Sequence, residues 1–204
     1  MLIGEPRVKT VDYVRKSMIH DPRKHHRRST RLSGYDYRQP GAYFVTICTR
    51  DRVCVLGRID AGEVWLSEQG VIATALWRDI AERFPHVCVD TFVVMPNHVH
   101  TIIIIEEMCR GGVTPPLHGG QTPPLIDVDA EGERMPSLGQ IVAYYKYQTT
   151  KQINRALGTP GAPFWQRNYF DHVIRSEREL KAIRRYIAEN SLKWDLDRDH
   201  PANI

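Results

Sequence analysis

The stretch VVMPNHVHTIIII, residues 93–105, decides how the rest of the chain is interpreted. Residues 87–95 form a run of β-branched and apolar side chains, which is typical of a strand. Pro96 and Asn97 interrupt that run, because proline lacks an amide donor and asparagine favours turns. Residues 98–105 resume the apolar pattern. The stretch therefore predicts two neighbouring strands joined by a short turn.

Two histidines lie in the second of these strands. His98 and His100 are two residues apart, and side chains on a strand alternate between its faces, so both imidazoles are expected on the same side. Two neutral imidazoles on one face are suitable ligands for a divalent metal ion. The alternative is a pair of hydrogen-bonded histidines at the edge of a sheet, and the spacing alone leaves both interpretations open.

A two-histidine metal site needs a third protein group and an open position for substrate. The last predicted helix offers Tyr186 and Asn190, which are four residues apart and share a helical face. Asn190 would supply a carbonyl oxygen, and Tyr186 would place its hydroxyl one turn away as a nucleophile for a phosphodiester. Alternatively, Tyr186 packs in the helix core and Asn190 caps the helix. The pattern does not decide between them.

The remaining patterns predict an α+β fold, with an antiparallel sheet that has helices packed on one face. We predict a strand at residues 42–49, a hairpin at 53–66, a helix from Ser67 to about residue 84, a helix at 138–157, an aromatic-rich connection at 164–174 and a final helix from Ser176 to about residue 191. Ser67 and Ser176 are placed as helix caps, and Ser176 with Glu179 forms a capping box.

Composition limits the class of protein. The chain has 204 residues, 42% of them apolar, which suits one domain with a core and excludes wholesale disorder. No run approaches the ~18 apolar residues of a membrane helix, so we expect a soluble, cytoplasmic protein without membrane contact. The four cysteines form no C-x-x-C pair, which argues against a zinc ribbon.

The predicted organisation has four parts. Residues 1–33 form a basic arm, within a segment (1–38) that carries ten Lys and Arg against four acids, and such an excess favours a polyanionic partner. Residues 34–194 form the catalytic domain. Within it, residues 109–136 form a Gly/Pro-rich insertion in which GGVTPPL is repeated as GGQTPPL with a period of eight residues, which predicts a flexible loop. Residues 195–204 form a tail.

Three blocks of the sequence resemble a known family of enzymes. VVMPNHVHTI resembles the His-hydrophobic-His signature of single-strand DNA transposases that use one tyrosine, members of the HUH superfamily. FWQRNYFDHVIRSEREL at residues 164–180, followed by YIAEN at 186–190, resembles the branch of REP-associated tyrosine transposases. The similarity covers roughly residues 43–194, with the blocks in the expected order. One difference is Ser191, where the family often has proline after the asparagine.

The resemblance implies a ferredoxin- or RRM-like sheet, plus a C-terminal helix that carries the tyrosine. It also implies Mg²⁺ or Mn²⁺, a single-stranded or hairpin DNA substrate, a 5′-phosphotyrosine intermediate and a possible homodimer. Carried over by position, His98, His100 and Asn190 are metal ligands and Tyr186 is the nucleophile. Tyr147 on the preceding helix is the rival nucleophile, but its partner four residues on is Lys151, which is no metal ligand.

Several basic and aromatic side chains are candidates for DNA contact. Cations bind backbone phosphates and aromatic rings stack on unpaired bases. The predicted phosphate contacts are Lys146, Lys151, Arg155, Arg167 and Arg175, together with Arg27 and Arg28 of the arm. Trp165 and Tyr169 are candidates for base stacking, although Trp165 in particular also suits a position between helix and sheet.

Three functions remain to be compared. The first is a metal-dependent endonuclease and strand transferase. The second is a non-catalytic single-stranded nucleic-acid-binding module, whose RRM-like sheet would normally display aromatic side chains where this strand has His98 and His100. The third is a hydrolase of small phosphoesters, which usually needs several acidic ligands for two metal ions. No acidic cluster accompanies the two histidines in the sequence.

Overall fold

The structure is a computed structural model, and it describes residues 31–32, 34–106 and 135–203. Most of the basic arm, including Arg27 and Arg28, lies outside the described residues, and so does most of the predicted 109–136 insertion. Those two assignments stay predictions.

Six strands and four helices make up the described chain. They are β1 (Gly41–Cys48), β2 (Gly57–Asp60), β3 (Glu63–Leu66), α1 (Glu68–Arg78), α2 (Ile80–Arg83), β4 (Val87–Val94), β5 (His98–Ile105), α3 (Leu138–Leu157), β6 (Phe170–Ile174) and α4 (Glu177–Ala188). Short 3₁₀ turns follow β1 and α4. None of the described helices combines the length and the apolar character that crossing a membrane requires.

The main sheet has the order β4-β5-β1-β6, and every neighbouring pair is antiparallel. The hairpin β2–β3 forms a separate two-stranded sheet. Without the hairpin the order along the chain is strand, helix, strand, strand, helix, strand, which is the arrangement of a ferredoxin-like sheet. The predicted α+β class and antiparallel sheet are confirmed.

The two faces of the sheet bury different cores because successive side chains on a strand point to opposite sides. On one face, Tyr43 and Val45 of β1 and Ile103 of β5 pack against α1 and α3, where Trp77 and Tyr145 stack with ring centroids 4.0 Å apart. α1 and α3 therefore pack together on this one face of the sheet, as the sequence predicts for its helices.

The helix that carries Tyr186 covers the opposite face. Phe44 and Ile102 pack there against Ile183 and Ile187 of α4. Arg184 of α4 also donates two hydrogen bonds, 2.8 and 2.7 Å, to the carboxylate of Asp90, which lies at the irregularity of β4 between Val89 and Phe92. These contacts set the position of α4 above β1 and β5.

Local signals account for most element boundaries. Ser67, Ser137 and Ser176 each accept a hydrogen bond from a backbone amide in the first turn of α1, α3 and α4. Gly158 ends α3 in the left-handed conformation, with φ 64°. The helix after Ser67, predicted as one element to about residue 84, is divided into α1 and α2.

Two predictions near the C-terminus were wrong. The second half of the predicted 164–174 connection is β6, which pairs with β1 from Ala42↔Ile174 to Thr46↔Phe170. A five-residue strand has little periodicity of its own, and its formation depends on the exposed edge of β1. The last helix ends at Ala188 rather than near residue 191, and a 3₁₀ turn, Ser191–Leu196, continues from it.

Candidate active site

The two histidines lie side by side at the start of β5, on the face covered by α4. His98 is fully buried and His100 is 2% exposed. Their Nε2 atoms are 3.0 Å apart. The strand alternation that places both on one face also places Ile102 there, under α4. The prediction that the two imidazoles share a face is confirmed.

Asn97 determines which nitrogen of His98 carries a hydrogen. Its side-chain amide donates to the backbone carbonyls of Arg52, at 3.1 Å, and of Asp199, at 2.6 Å. The carbonyl oxygen Oδ1 of Asn97 is left to face His98 Nδ1, 2.8 Å away. Nδ1 of His98 must then be the donor, which leaves the lone pair on Nε2, directed at His100.

Thr46 orients the ring of His100 through a hydrogen bond. Its hydroxyl lies 2.8 Å from His100 Nδ1, across the β1–β5 pair. A hydroxyl donates or accepts, so His100 is able to hold its hydrogen on either nitrogen. When Thr46 accepts, both Nε2 atoms present lone pairs toward one point, as a shared cation requires. Partners of this kind orient histidines that bind metals.

Burial keeps both rings neutral. It lowers the pKa of His98 from 6.5 to about 3, and the positive charges of Arg198 and Arg52 act in the same direction. Burial also lowers the pKa of His100 well below its usual value, followed by the effect of His98, while the carboxylate of Asp197 opposes the shift. Neutral imidazoles are the form that binds metal.

Tyr186 completes this cluster from α4. Its hydroxyl oxygen is 3.3 Å from His100 Nε2. Its ring packs edge-on against Phe44, with centroids 6.1 Å apart, and Phe44 also stacks on His100. Burial raises the pKa of Tyr186, as does the negative charge of Asp197, while Asn190 and Arg198 lower it. The phenol is therefore protonated near neutral pH.

Asn190 lies below Tyr186, as the spacing of four predicts, and it is 2% exposed. Its amide nitrogen donates to Asp197 Oδ2 at 3.3 Å. Its carbonyl oxygen Oδ1 is buried and has no hydrogen-bond partner among the described residues. Such an oxygen normally has a partner in a folded protein, and a bound cation would supply one.

Asp197 is the site residue that the sequence interpretation missed. Its carboxylate and the ring nitrogens of His98 and His100 offer three ligand atoms that all lie within 4.8 Å of one another. The sequence shows no acidic cluster beside the histidines and predicts a tail at residues 195–204, but the structure buries Asp197 of that segment next to them. The only available signal was the D-x-D spacing of Asp197 and Asp199 in WDLDRD.

The chain after α4 closes over the site. Asp199 forms an ion pair with Arg52 at 3.1 Å, and its amide donates to Asp197 Oδ1 at 2.6 Å. The Trp194 ring lies 6.0 Å from that of His98. We call residues 191–203 the closing segment. It supplies one candidate ligand and shields the histidines from solvent.

The donor set suits a divalent cation. Two ligands at right angles and ~2.1 Å from an octahedral ion lie about 3.0 Å from each other, which is the separation of the two Nε2 atoms. A carboxylate and an amide oxygen beside two imidazoles are typical ligands for Mn²⁺ and acceptable ones for Mg²⁺. The unpartnered Oδ1 of Asn190 is consistent with the same interpretation.

The other predicted site residues lie elsewhere. Tyr147 is exposed on α3, which covers the opposite face of the sheet, so the structure does not bring it to the histidines. Residues of α3 and of the loop after it line one groove, and these include Lys146, Lys151, Arg155 and Arg167. Arg175 is exposed in the turn between β6 and α4, outside that groove.

The two stacking candidates also differ in position. Trp165 is 6% exposed, and its indole nitrogen donates to Thr149 Oγ1 at 2.7 Å, so most of the ring packs between α3 and the sheet. Tyr169 is half-buried, and its hydroxyl accepts a hydrogen bond from Arg31 at 2.5 Å. For Trp165 the position fits packing between helix and sheet, and base stacking by Tyr169 stays a prediction.

Comparison with known proteins gives one strong sequence match. The chain is 36% identical over 173 residues to an uncharacterised protein of Haemophilus influenzae, and the match covers 85% of this chain and 92% of that protein. No protein-family model matches the chain.

Two solved structures resemble the fold more distantly. One is a REP-associated tyrosine transposase bound to a REP hairpin, at 18% identity and a TM-score of 0.48, covering 80% of this chain and 73% of that one. The other is a Deinococcus radiodurans protein provisionally assigned as a transposase, at 20% identity and a TM-score of 0.41, covering 79% of this chain and 96% of that one. The sequence match, long and nearly complete on both sides, shows that the chain and the Haemophilus influenzae protein belong to one family.

Proposed function

We propose that the protein is a REP-associated tyrosine transposase: a metal-dependent endonuclease and strand transferase that acts on hairpin-containing single-stranded DNA. The observation that carries the proposal is the contact of the Tyr186 hydroxyl with His100 Nε2, at 3.3 Å, beside a second imidazole at 3.0 Å. Nucleophile and candidate metal ligands come from two distant parts of the chain. Their order along the sequence is that of the family that the motifs resemble.

The metal would be Mg²⁺ or Mn²⁺, held by His98, His100 and an oxygen of Asn190 or Asp197. When bound, such an ion stabilises negative charge on a phosphate oxygen in the transition state. Asn97 and Thr46 hold the two imidazoles in the orientation that binding needs.

The reaction proceeds by attack of the Tyr186 oxygen on a DNA phosphorus. A bond forms between the phenol oxygen and phosphorus, and the bond from phosphorus to the 3′-oxygen breaks. The phenol proton passes to solvent, and the 3′-oxygen takes a proton from solvent. The product is a 5′-phosphotyrosine with a free 3′-hydroxyl on the other strand end. Attack by another 3′-hydroxyl reverses the chemistry and joins the strands without ATP.

The closing segment has a consequence for access. His98, Asn190 and Asp197 are buried, the Asp197 carboxylate lies next to the histidines, and the Asp199 carbonyl accepts a hydrogen bond from Asn97. In this proposal a phosphodiester contacts an ion at the imidazoles only after residues 191–203 shift, because His98 and His100 are buried. The described structure is then the closed form of the enzyme.

The non-catalytic alternative, an RRM-like binding module, needs an open sheet face that displays aromatic side chains. Here α4 and the closing segment cover one face, and α1 and α3 cover the other. No observation on the described residues favours that function. The predicted homodimer remains a prediction, and Tyr186 and the histidines meet within a single chain.

The test is a covalent-adduct assay. The full chain is incubated with 5′- or 3′-labelled single strands that contain a hairpin, in the presence of Mn²⁺, and the products are separated on a denaturing gel. The wild type and Tyr147→Phe should form a protein–DNA adduct and release a strand with a 3′-hydroxyl. Tyr186→Phe should form none while still binding the DNA. An adduct with Tyr186→Phe would overturn the proposed role of Tyr186.

A further inference from the structure

A groove lies on the far side of the sheet from Tyr186, between the second half of α3 and the loop that follows it. It has a volume of about 810 Å³ and is open to solvent. We call it the α3 groove. Residues 146–155 of α3 form one wall, and residues 158–167 form the other. The proposed reaction does not use any of these residues.

The groove is cationic. Its lining includes four basic side chains, Lys146, Lys151, Arg155 and Arg167, and no acidic residue. Lys151, Arg155 and Arg167 are exposed, and no ion pair involving them occurs within the described ranges. Three unneutralised cations beside one concave surface favour a polyanionic ligand.

The groove also has an exposed aromatic ring. Tyr147 is 63% exposed, although the side chains two residues to either side of it, Tyr145 and Thr149, are fully buried. Phe164 is half-buried on the opposite wall. Packing does not require a tyrosine at position 147. Aromatic rings beside Lys and Arg are the combination that binds unpaired bases and their phosphates.

The walls are held together before any ligand binds. Lys146 Nζ donates to the carbonyls of Gln166, at 2.5 Å, and Arg167, at 3.0 Å, and Asn154 donates to the carbonyl of Ala162 at 2.8 Å. Trp165 is fixed by its bond to Thr149. A preformed groove loses little conformational entropy when it binds a ligand.

We infer that the α3 groove binds unpaired nucleotides next to a DNA hairpin, with Tyr147 stacking on a base and Lys151, Arg155 and Arg167 contacting phosphates. This inference rests on the proposed function for the identity of the nucleic acid. It assigns Tyr147 a binding role in place of the catalytic role considered from the sequence. A single strand is favoured over duplex because paired bases have no face free for an aromatic side chain.

The experiment measures DNA binding by fluorescence anisotropy in a Tyr186→Phe background, so that no cleavage occurs. The probes are a labelled hairpin with single-stranded tails and the same hairpin without tails. Tyr147→Ala should weaken binding of the tailed probe by ~5- to 100-fold, as the loss of one stacked base predicts. Tyr147→Phe should retain the affinity, and the untailed hairpin should bind all three proteins alike.

The charges give a second readout. Lys151→Gln with Arg155→Gln should reduce the slope of log K against log salt for the tailed probe by about 1.4, which is ~0.7 for each phosphate contact on a single strand. Arg178→Gln with Lys181→Gln removes two exposed cations of α4 and should leave that slope unchanged. Thermal melting of each variant confirms that it is folded.

Three results would overturn the inference. The first is that Tyr147→Ala and the double variant Lys151→Gln with Arg155→Gln both bind the tailed probe as tightly as the parent protein. Another is an equal loss for tailed and untailed hairpins, which would assign the groove to duplex. The third is displacement of the probe by poly-glutamate at the same charge concentration as by single-stranded DNA, which would assign it to acidic protein. Adduct formation by wild type is scored separately, so failure of the groove and failure of the proposed chemistry are distinguishable.

Discussion

The two faces of the main sheet carry opposite kinds of surface. On the α4 face, His98, His100 and Tyr186 are buried or half-buried, and single hydrogen bonds to Asn97 and Thr46 orient the imidazoles. On the α3 side, the groove is open, cationic and centred on an exposed tyrosine. The comparison teaches that the neighbours of a tyrosine distinguish a candidate nucleophile from a candidate binding residue. Tyr186 has a histidine pair beside it, and Tyr147 has lysines and arginines.

The largest expected effect comes from removing one candidate metal ligand of the α4 face. His100→Ala should lower the affinity for Mn²⁺ by more than about 100-fold, because loss of a ligand costs more than the 10- to 100-fold of an outer-shell change. Titration followed by electron paramagnetic resonance measures it. His172→Ala is the control, since His172 pairs with Glu179 away from the site. Retained affinity in His100→Ala would place the metal elsewhere.

Acid should weaken the α4 face selectively in the metal-free protein. The folded pKa of His98, about 3, lies below its ordinary value of 6.5, so the unfolded chain binds a proton that the folded chain does not. The contribution of His98 to the free energy of unfolding is therefore fully present above pH ~6.5, and it is lost progressively as the pH falls toward 3. The free energy of unfolding should drop by about 3 kcal/mol between pH 7.5 and 4.5 from this group alone.

Urea denaturation at several pH values measures that dependence. His98→Gln should show a shallower decrease over the same interval, because its side chain does not titrate. The groove variant Lys151→Gln should follow the wild-type curve, because the exposed position 151 lies on α3, which covers the face of the sheet opposite the histidines. Equal slopes for the wild type and His98→Gln would contradict the burial argument.

A comparison of Asn97→Ala with Asn154→Ala tests whether Asn97 orients a metal-binding histidine or only stabilises the fold. Asn97→Ala should lower Mn²⁺ affinity by ~10- to 100-fold, the usual effect of losing a group that orients a metal-binding histidine. It should also cost ~1–3 kcal/mol of stability, because two backbone carbonyls lose their donor. Asn154→Ala removes a comparable bond, to the Ala162 carbonyl on the groove side, and should reduce stability without changing metal affinity. Equal Mn²⁺ affinities in both variants would reduce Asn97 to a structural residue.

The smallest expected effect concerns Trp165. Trp165→Phe loses the hydrogen bond to Thr149 and should lower the free energy of unfolding by ~1 kcal/mol. Binding of single-stranded DNA should stay unchanged, because Trp165 lines the α3 groove with only 6% of its surface exposed and phenylalanine keeps an apolar ring there. Chemical denaturation and anisotropy measure the two quantities. A clear loss of DNA affinity at full stability would show that Trp165 contacts the ligand after all.

Much of the α4 face was predictable from local pattern. The alternation of a strand places His98 and His100 together, and the helical repeat places Tyr186 above Asn190. Serine caps mark the beginnings of α1 and α4. The contacts of Asn97 were not predictable, because its partners, the carbonyls of Arg52 and Asp199, are 45 and 102 residues away. Asp197 was missed for the same reason.

The sequence by itself determined most of the strands and helices, β6 excepted, and the two residue pairs of the candidate site, since each depends on a repeat of two or about four residues. Only the tertiary structure decided that β6 adds to the edge of β1, that α4 covers the face opposite α3, and that the chain after α4 returns Asp197 to the histidines. Those features come from side chains distant in sequence that bury each other, and no local repeat encodes them.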